Sequence, residues 1–380
     1  MAKLFQKSDL PAGVKFTDGY SHERPFQILG LLQSHEFGDL ICNVVFLSTL
    51  ANQFDHVRLH VKFRDVRPYS RQIMSLSPWI DLAEPLGGEW PKWMGRFFPH
   101  AKPWRESLHI GSQKGAHVPL YDMIVTSLMA RDESIHALPN PVPLRIPSNK
   151  TDELTSRLIA KGLNPHNWFA VIHHRESTYT YRPGGSDRDS DPKVFDELID
   201  HIIGLGGQVV RLGHPEMTPF RPREGFVDLS RERDSLLLQA AAVSRARFAI
   251  AGPSGAIALA LGFLIPSTLV DAVDGVGMWG PSDVLTHVVK TPFCRTLRNA
   301  SLREAGLLDS HTLAEQMKSD PGYKIRKATV DELRTIADRL YNRTSDCRGW
   351  RSPAAAPEGL KPNHVAWPLR LSEPMPWVDL

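Results

Sequence analysis

The chain is poor in the features that would settle its class at once. It has three cysteines in 380 residues, Cys42, Cys294 and Cys347, with no CxxC or CxxH spacing. That excludes a disulfide scaffold and a structural zinc site of the usual spacing, and it suits a reducing compartment. No apolar run is long enough to span a membrane: the most apolar window, residues 249–270, is interrupted by Gly252, Pro253, Gly255, Gly262 and Pro266. The N-terminal MAKLFQKSDLPAG lacks the continuous apolar stretch of a secretion signal. A cytoplasmic enzyme is the expectation. Charge of one sign is also scarce. The formal net charge is +3, so no nucleic-acid partner is expected. The pI near 8.7 tolerates an anionic substrate or peripheral association with a membrane surface. Neither Gly-x-x-x-x-Gly-Lys nor a full Gly-x-Gly-x-x-Gly is present.

What is present is 42% hydrophobic and 23% charged residues, the balance of a soluble globular protein, in a chain long enough for two domains. The proline-dense segment 138–147 (LPNPVPLRIP) divides it into an N-terminal α/β domain over 1–145 and a C-terminal α/β domain over 146–345. A Pro- and Trp-rich tail, 346–380, packs on the surface or crosses back. In the first half, Phe26–Leu32 reads as a strand, residues 40–54 as a helix and Val57–Phe63 as a strand; 75–120 reads as irregular structure with short elements. In the second half the alternation is clearer. Strands fall at 168–172, 208–212, 225–229, 247–251 and 267–271, with helices at 152–163, 192–205, 234–244, 255–263 and 331–341. Such β-α-β-α order predicts parallel sheets covered by helices on both faces.

Three strand ends carry polar chemistry. The run Phe169–Ile172 leads straight into His173, His174, Arg175 and Glu176. Val209 and Val210 lead into Arg211, Gly213 and His214, and Phe248–Ala251 leads through Gly252, Pro253, Ser254 and Gly255 into an apolar helix. Side by side, these ends would bring arginines, histidines and a helix N-terminus to one anion site, suited to the phosphates of a nucleotide. Each residue also has a structural reading. Arg175 can grip a diphosphate or pair with Glu176 or a nearby Asp. His173 and His174 point to opposite faces; His173, on the face of Arg175, is favoured for the site, and His174 for the core. Arg211 can pair with phosphate or with a carboxylate of the 186–191 loop. Ser254 can donate to a ligand or simply cap its helix, and Asp234 reads as the cap of helix 235–244. The polar loop 179–191 can clamp a ligand through Arg182 and Arg188 or lie in solvent. In the first half, His35, Glu36 and Asp39 follow the first strand; any of them can serve as a general base, and Asp39 alternatively caps a helix starting at Leu40. Trp79, Trp90, Trp93 and Trp104 can stack on a sugar or pack in a core. His100, His109 and His117 have no metal-ligand spacing, and no metal site is expected.

In order and spacing, the elements Ile172-His173-His174-Arg175, Val209-Val210-Arg211-Leu212-Gly213 and Gly252-Pro253-Ser254-Gly255 resemble those of glycosyltransferases with two facing Rossmann-like domains and an interdomain cleft, the GT-B type. The likeness covers residues 165–275 and is nearest to fucosyltransferase-like and bacterial surface-glycan glycosyltransferases. Phe37-Gly38-Asp39 and the helix it opens also resemble the acceptor-domain start of heptosyltransferase-like enzymes. The resemblance implies sugar transfer of hexosyl or fucosyl type from a nucleotide-sugar, a GDP-sugar before others, to a hydroxyl of a glycan, protein or metabolite. It implies Arg175 on the diphosphate and no required metal or other cofactor. His173, Arg211, Gly213, His214, Pro253, Ser254 and Gly255 would line the donor pocket. A nucleotide-sugar epimerase or hydrolase, or a non-catalytic binding protein on the same scaffold, is the alternative.

Overall fold

The structure, a computed structural model, describes residues 15–16, 26–32, 36–52, 57–85, 123–126, 141–177, 189–232, 236–271, 282–290, 293–298, 323–325 and 327–352. The chain falls into two compact units, one up to Pro147 and one over Ser148–Ala354.

The first unit is a five-stranded sheet. Its elements are β1 (Lys15–Phe16), β2 (Phe26–Leu32), α1 (Phe37–Ala51), β3 (Val57–Phe63), α2 (Ser70–Ser75), β4 (Ile80–Pro85) and β5 (Met123–Thr126), in sheet order β1-β5-β2-β3-β4. All neighbours are parallel except β1 and β5. The central strand β2 is buried almost throughout, as its unbroken apolar run requires. α1 lies so close to it that a Cβ on Gly30 would fall 2.5 Å from Leu47 Cδ1. The helix is buried around most of its circumference, and its polar residues turn inward: Ser48 Oγ donates to Val44 O (2.6 Å) and Thr49 Oγ1 to Val45 O (2.7 Å). One expectation is corrected here. α1 starts at Phe37 and not at Leu40, so Asp39 lies inside the first turn and Glu36 occupies the cap position. β4 is a short strand, with a shift of register at Asp81, within the stretch read as irregular with short elements; Asp81, Leu82 and Pro85 on it are exposed, so period-2 burial never develops.

The second unit runs α3 (Thr151–Ala160), β6 (Phe169–His173), α4 (Pro192–Gly204), β7 (Gln208–Arg211), β8 (Phe226–Asp228), α5 (Leu236–Arg245), β9 (Phe248–Ala251), α6 (Gly255–Gly262), β10 (Ser267–Val270), β11 (Ser282–Lys290), β12 (Phe293–Arg298), β13 (Tyr323–Ile325) and α7 (Val330–Arg343). The sheet order is β12-β11-β10-β9-β6-β7-β8, with β13 also on β11. From β8 to β11 every pairing is parallel; β12 and β13 are antiparallel. Local sequence sets the boundaries. Asp191 caps α4 by accepting from Lys193 N (2.9 Å), with Pro192 in the first helical position. α7 starts in a capping box, Thr329 with Glu332. One face of the sheet, through Ala170, Ile172, Val209 and Phe248, packs on Phe195, Leu198, Ile199 and Ile202 of α4 and on Leu333, Ile336, Ala337 and Leu340 of α7. Phe169 and Val171, which alternate with these, are equally buried, so both faces are covered. Each such side chain contributes about 1.5–3 kcal/mol.

The order of strands matters more than their number. The second unit starts in mid-sheet at β6, runs outward through β7 to β8, then returns to the other side of β6 and continues β9-β10-β11. The direction of winding reverses between β6 and β9. The first unit does the same on a smaller scale, β2 to β3 to β4 and then β5, with the reversal between β2 and β5. In sheets of this kind the chains leaving the two strands at the reversal part to opposite faces and open a crevice at their C-terminal ends.

Candidate functional site

The C-terminal ends of β6 and β9 are the reversal point of the second sheet, and most of the expected donor-side residues lie there. Gly252 N donates to His173 O (2.8 Å), extending the ladder one residue past β9. The turn then leads through Pro253 and Ser254 into α6. Ser254 Oγ accepts from Ala256 N (3.3 Å), so the capping reading of this serine holds; Ser254, Gly255 and Ala256 are nonetheless partly exposed, and a helix start leaves backbone N–H groups in want of partners. Arg175 reaches over the turn: its NH1 donates to Pro253 O (3.1 Å), and its Nε stands 3.7 Å from Asp189 Oδ1. Asp189 is itself held by Ser177 Oγ (2.8 Å). The chain returns beside β6 at Ser190, whose N donates to Arg175 O (2.9 Å). Gly252 is required by this closeness: a Cβ there would lie 2.6 Å from Ser190 Oγ and 3.2 Å from Arg175 N. Of the two structural partners expected for Arg175, Glu176 or a nearby Asp, it is the Asp that is found, in Asp189.

His173 and His174 divide as alternation predicts. His174 is fully buried against Phe195 and Phe220, and its Nε2 meets Glu176 Oε1 at 2.5 Å. Burial lowers its pKa, more than the neighbouring Glu176 raises it. Burial alone would raise the pKa of Glu176, but the Thr218 N–H (2.9 Å) and His174 outweigh it, and the carboxyl is shifted down. The pair is therefore carboxylate with neutral imidazole, proton on Nε2. His173 is 8% exposed, and its Nδ1 faces Leu212 O (3.1 Å). Burial, helped by the neighbouring His174, Arg211 and His214, pushes its pKa down to about 3, although the Leu212 carbonyl works the other way. A carbonyl only accepts, so the single proton of neutral His173 is on Nδ1 and Nε2 carries a lone pair. Such a nitrogen accepts from a hydroxyl; it has no proton to give a phosphate oxygen.

The end of β7 is a nearly closed circuit, in which Arg211 Nε alone of the guanidinium nitrogens lacks a partner. Arg211 is fully buried; its NH1 pairs with Asp228 Oδ2 (3.1 Å), its NH2 donates to Thr218 O (2.7 Å), and its guanidinium lies 4.2 Å from the centre of the Phe220 ring. The expected carboxylate of the 186–191 loop is replaced by Asp228, the residue directly opposite in the register with β8. Gly213 is closed too: its N donates to Gln239 Oε1 (3.1 Å) and its O accepts from Gln239 Nε2 (2.9 Å). His214 is partly exposed, with Nδ1 accepting from Glu216 N (3.3 Å) and a pKa lowered by burial. Asp189, Ser190, Asp228 and Gln239 were not named one by one in the sequence. Glu176 was named as a partner of Arg175; the spacing His174-x-Glu176 was the signal for its actual partner.

In the first unit, Glu36 and Asp39 are exposed in the first turn of α1, just beyond the end of β2. That is again a reversal point. Trp79 precedes β4 and is half-buried. His35, Arg182, Arg188, Asp234, Trp90, Trp93, Trp104, His100, His109 and His117 and the tail beyond Ser352 lie outside the described residues. Among the described residues no group of three or more His, Cys, Asp or Glu is placed to hold a metal ion, and no helix is long and apolar enough to cross a membrane.

No family model matches the chain, and no curated protein matches it in sequence. Solved structures match it in fold. The glycosyl transferase family 9 protein of Veillonella parvula superposes with a TM-score of 0.52 at 12% identity, over 84% of this chain and 98% of that one. The ADP-heptose LPS heptosyltransferase II of E. coli gives 0.50 at 13% identity, over 84% and 100%. The fold is of the GT-B glycosyltransferase type. Both relatives are on the family 9 and heptosyltransferase side of the expected resemblance, and neither is a fucosyltransferase. At these identities the likeness carries fold and no residue-by-residue correspondence.

Proposed function

We propose that the protein is a glycosyltransferase that moves a sugar from a nucleoside-diphosphate sugar to a hydroxyl of a glycan, protein or metabolite, without a required metal. The observation that carries this reading is the meeting of Arg175 with the open start of α6 at the reversal between β6 and β9. A guanidinium and a helix N-terminus fixed in place together offset the charge that grows on a departing diphosphate, the main electrostatic task of sugar transfer. His173, neutral and with a bare Nε2, suits a hydroxyl of the ribose or sugar and not the phosphates. Arg211 and Gly213 act as scaffold beside the site. The base that takes the acceptor proton is Asp39, Glu36 or His35.

The donor nucleotide is tested, not read. The E. coli relative is by name an ADP-heptose enzyme, which puts an ADP-sugar first for trial; the geometry itself does not prefer GDP. Thermal shift against ADP, GDP, UDP, CMP and dTDP, with and without magnesium, followed by release of the nucleoside diphosphate from the matching sugar donors, decides the matter. A metal-independent shift with one diphosphate, and turnover of its sugar only when acceptor is supplied, supports transfer. Turnover without acceptor makes the protein a hydrolase or epimerase, and no shift with any nucleotide removes the proposal.

A further inference from the structure

Ser190 is the residue at the β6–β9 reversal whose chemistry the fold leaves unused. It is 5% exposed, and its Oγ is enclosed without a hydrogen-bond partner. A serine hydroxyl is an adaptable group that usually finds a carbonyl or carboxylate within its own turn, and an enclosed one left unmade is uncommon. Ser177 binds Asp189, Ser230 binds Asp228, Ser244 binds Ala241 O and Ser267 binds Ile265 O; among the enclosed serine and threonine hydroxyls of the described residues of this unit, only that of Thr268, inside β10, shares the lack of a partner. Ser190 differs in where its side chain is aimed. Its backbone is pinned to Arg175 O, and its Oγ lies 2.6 Å from the point a Cβ of Gly252 would occupy, against the turn that opens α6. Glycine at 252 is what leaves the hydroxyl its place.

Two independent features therefore point the same way. The start of the eight-residue helix α6 offers backbone donors, and an enclosed hydroxyl without a partner faces the turn before it. We propose that Ser190 is a binding residue for the diphosphate of the donor, its Oγ–H donating to a phosphoryl oxygen between Arg175 and the start of α6. A hydroxyl donor to an oxyanion makes a short, charge-assisted bond, and the same serine has no such acceptor in the protein alone. The proposal rests on the phosphate reading of this strand end and adds to it a third group, outside the arginine and the helix.

Calorimetric titration of the full chain with ADP and GDP, and with adenosine and guanosine as phosphate-free controls, tests it on wild type, Ser190→Ala, Ser190→Cys and Arg175→Ala. The expected result is a ten- to hundredfold loss of diphosphate affinity in Ser190→Ala, a smaller loss in Ser190→Cys, whose thiol is a weaker donor, and no change for the nucleosides. The melting temperature of Ser190→Ala should equal or exceed that of wild type, because the protein loses an enclosed polar group and no bond. Unchanged diphosphate affinity in Ser190→Ala, with affinity lost in Arg175→Ala, overturns the serine and leaves the phosphate site standing. Equal losses for diphosphate and nucleoside reduce Ser190 to a packing role. A wild type that binds no diphosphate removes the serine and the site together.

Discussion

Arg175 and Arg211 come from neighbouring strands of one sheet, β6 and β7, and the protein uses them differently. Arg211 is sealed: a carboxylate, a carbonyl and an aromatic ring take up its charge and its face, and Phe220 closes over it. Arg175 lies at the reversal of strand order, partly exposed, bridging to the turn before α6 with one carboxylate at 3.7 Å. The cause is topological. β7 and β8 are successive, parallel and adjacent, so Asp228 comes directly opposite Arg211 and the circuit closes on itself. β6 and β9 are adjacent but far apart in sequence, and Arg175 meets a backbone carbonyl of the turn after β9 and not a carboxylate in register. A charged residue after a buried strand is therefore no guide to function until its neighbouring strand is known.

The largest effect that sharpens this contrast is on stability. Arg211→Met should cost about 3 kcal/mol in denaturant unfolding, because it strips a buried pair of one partner and leaves Asp228 Oδ2 and Thr218 O without their donor. A cost below about 1 kcal/mol, or lost nucleotide binding with unchanged stability, would erase the distinction between the two arginines. Next, Arg175→Ala should weaken nucleoside-diphosphate binding by at least about tenfold, the worth of one charged hydrogen bond, while moving the unfolding midpoint far less than Arg211→Met. Calorimetry and a urea melt on the same two variants check both halves.

Seven of the thirteen strands among the described residues, β2, β3 and β6 to β10, were legible in advance, and so was the parallel α/β class; β1, β4, β5 and β11 to β13 were not. β2 and β3 fall on the expected residues because long apolar or alternating runs leave little choice. The β6, β7 and β9 ends were legible as polar clusters after short apolar runs. What was hidden is the pairing of strands. No local pattern tells that β9 lies beside β6, or that Asp228 and not the 186–191 loop meets Arg211. The start of α1 was missed because Gly38 and Asp39 break the apolar periodicity that marks a helix, and Glu36 makes no side-chain cap bond. Ser190 was invisible for a plainer reason: only the absence of a partner marks it, and that is a property of the folded chain.

Acid stability gives a smaller, graded test of the same region. His173 has its folded-state pKa depressed to about 3, and an unfolded histidine titrates near 6.5. Between these values the unfolded chain binds a proton that the folded chain refuses, so stability is full above about pH 6.5 and falls as pH drops toward 3. The slope approaches about 1.4 kcal/mol per pH unit for one such histidine, and His174 and His214, shifted the same way, steepen it. Urea melts from pH 7.5 to 4.5 should show this decline, and His173→Gln should flatten part of it. A variant with the slope of wild type would mean that His173 is protonated in the folded chain and that its Nε2 is a donor. The smallest effect belongs to Asp189→Asn. Removing the carboxylate near Arg175 should tighten diphosphate binding about two- to fivefold, the worth of a screened charge at this range. Weaker binding instead would mean that Asp189 aligns the arginine for its ligand.

The most direct measurement is a crystal structure with the nucleoside diphosphate that gives the largest thermal shift, ADP or GDP first. The account predicts diphosphate density within hydrogen-bonding distance of Arg175, of the backbone at Gly255 and of Ser190 Oγ, with the Arg211–Asp228 pair unchanged. Phosphates bound at the β7 end with Arg211 turned out of its pair, or a nucleotide bound with the β6–β9 end untouched, would contradict it.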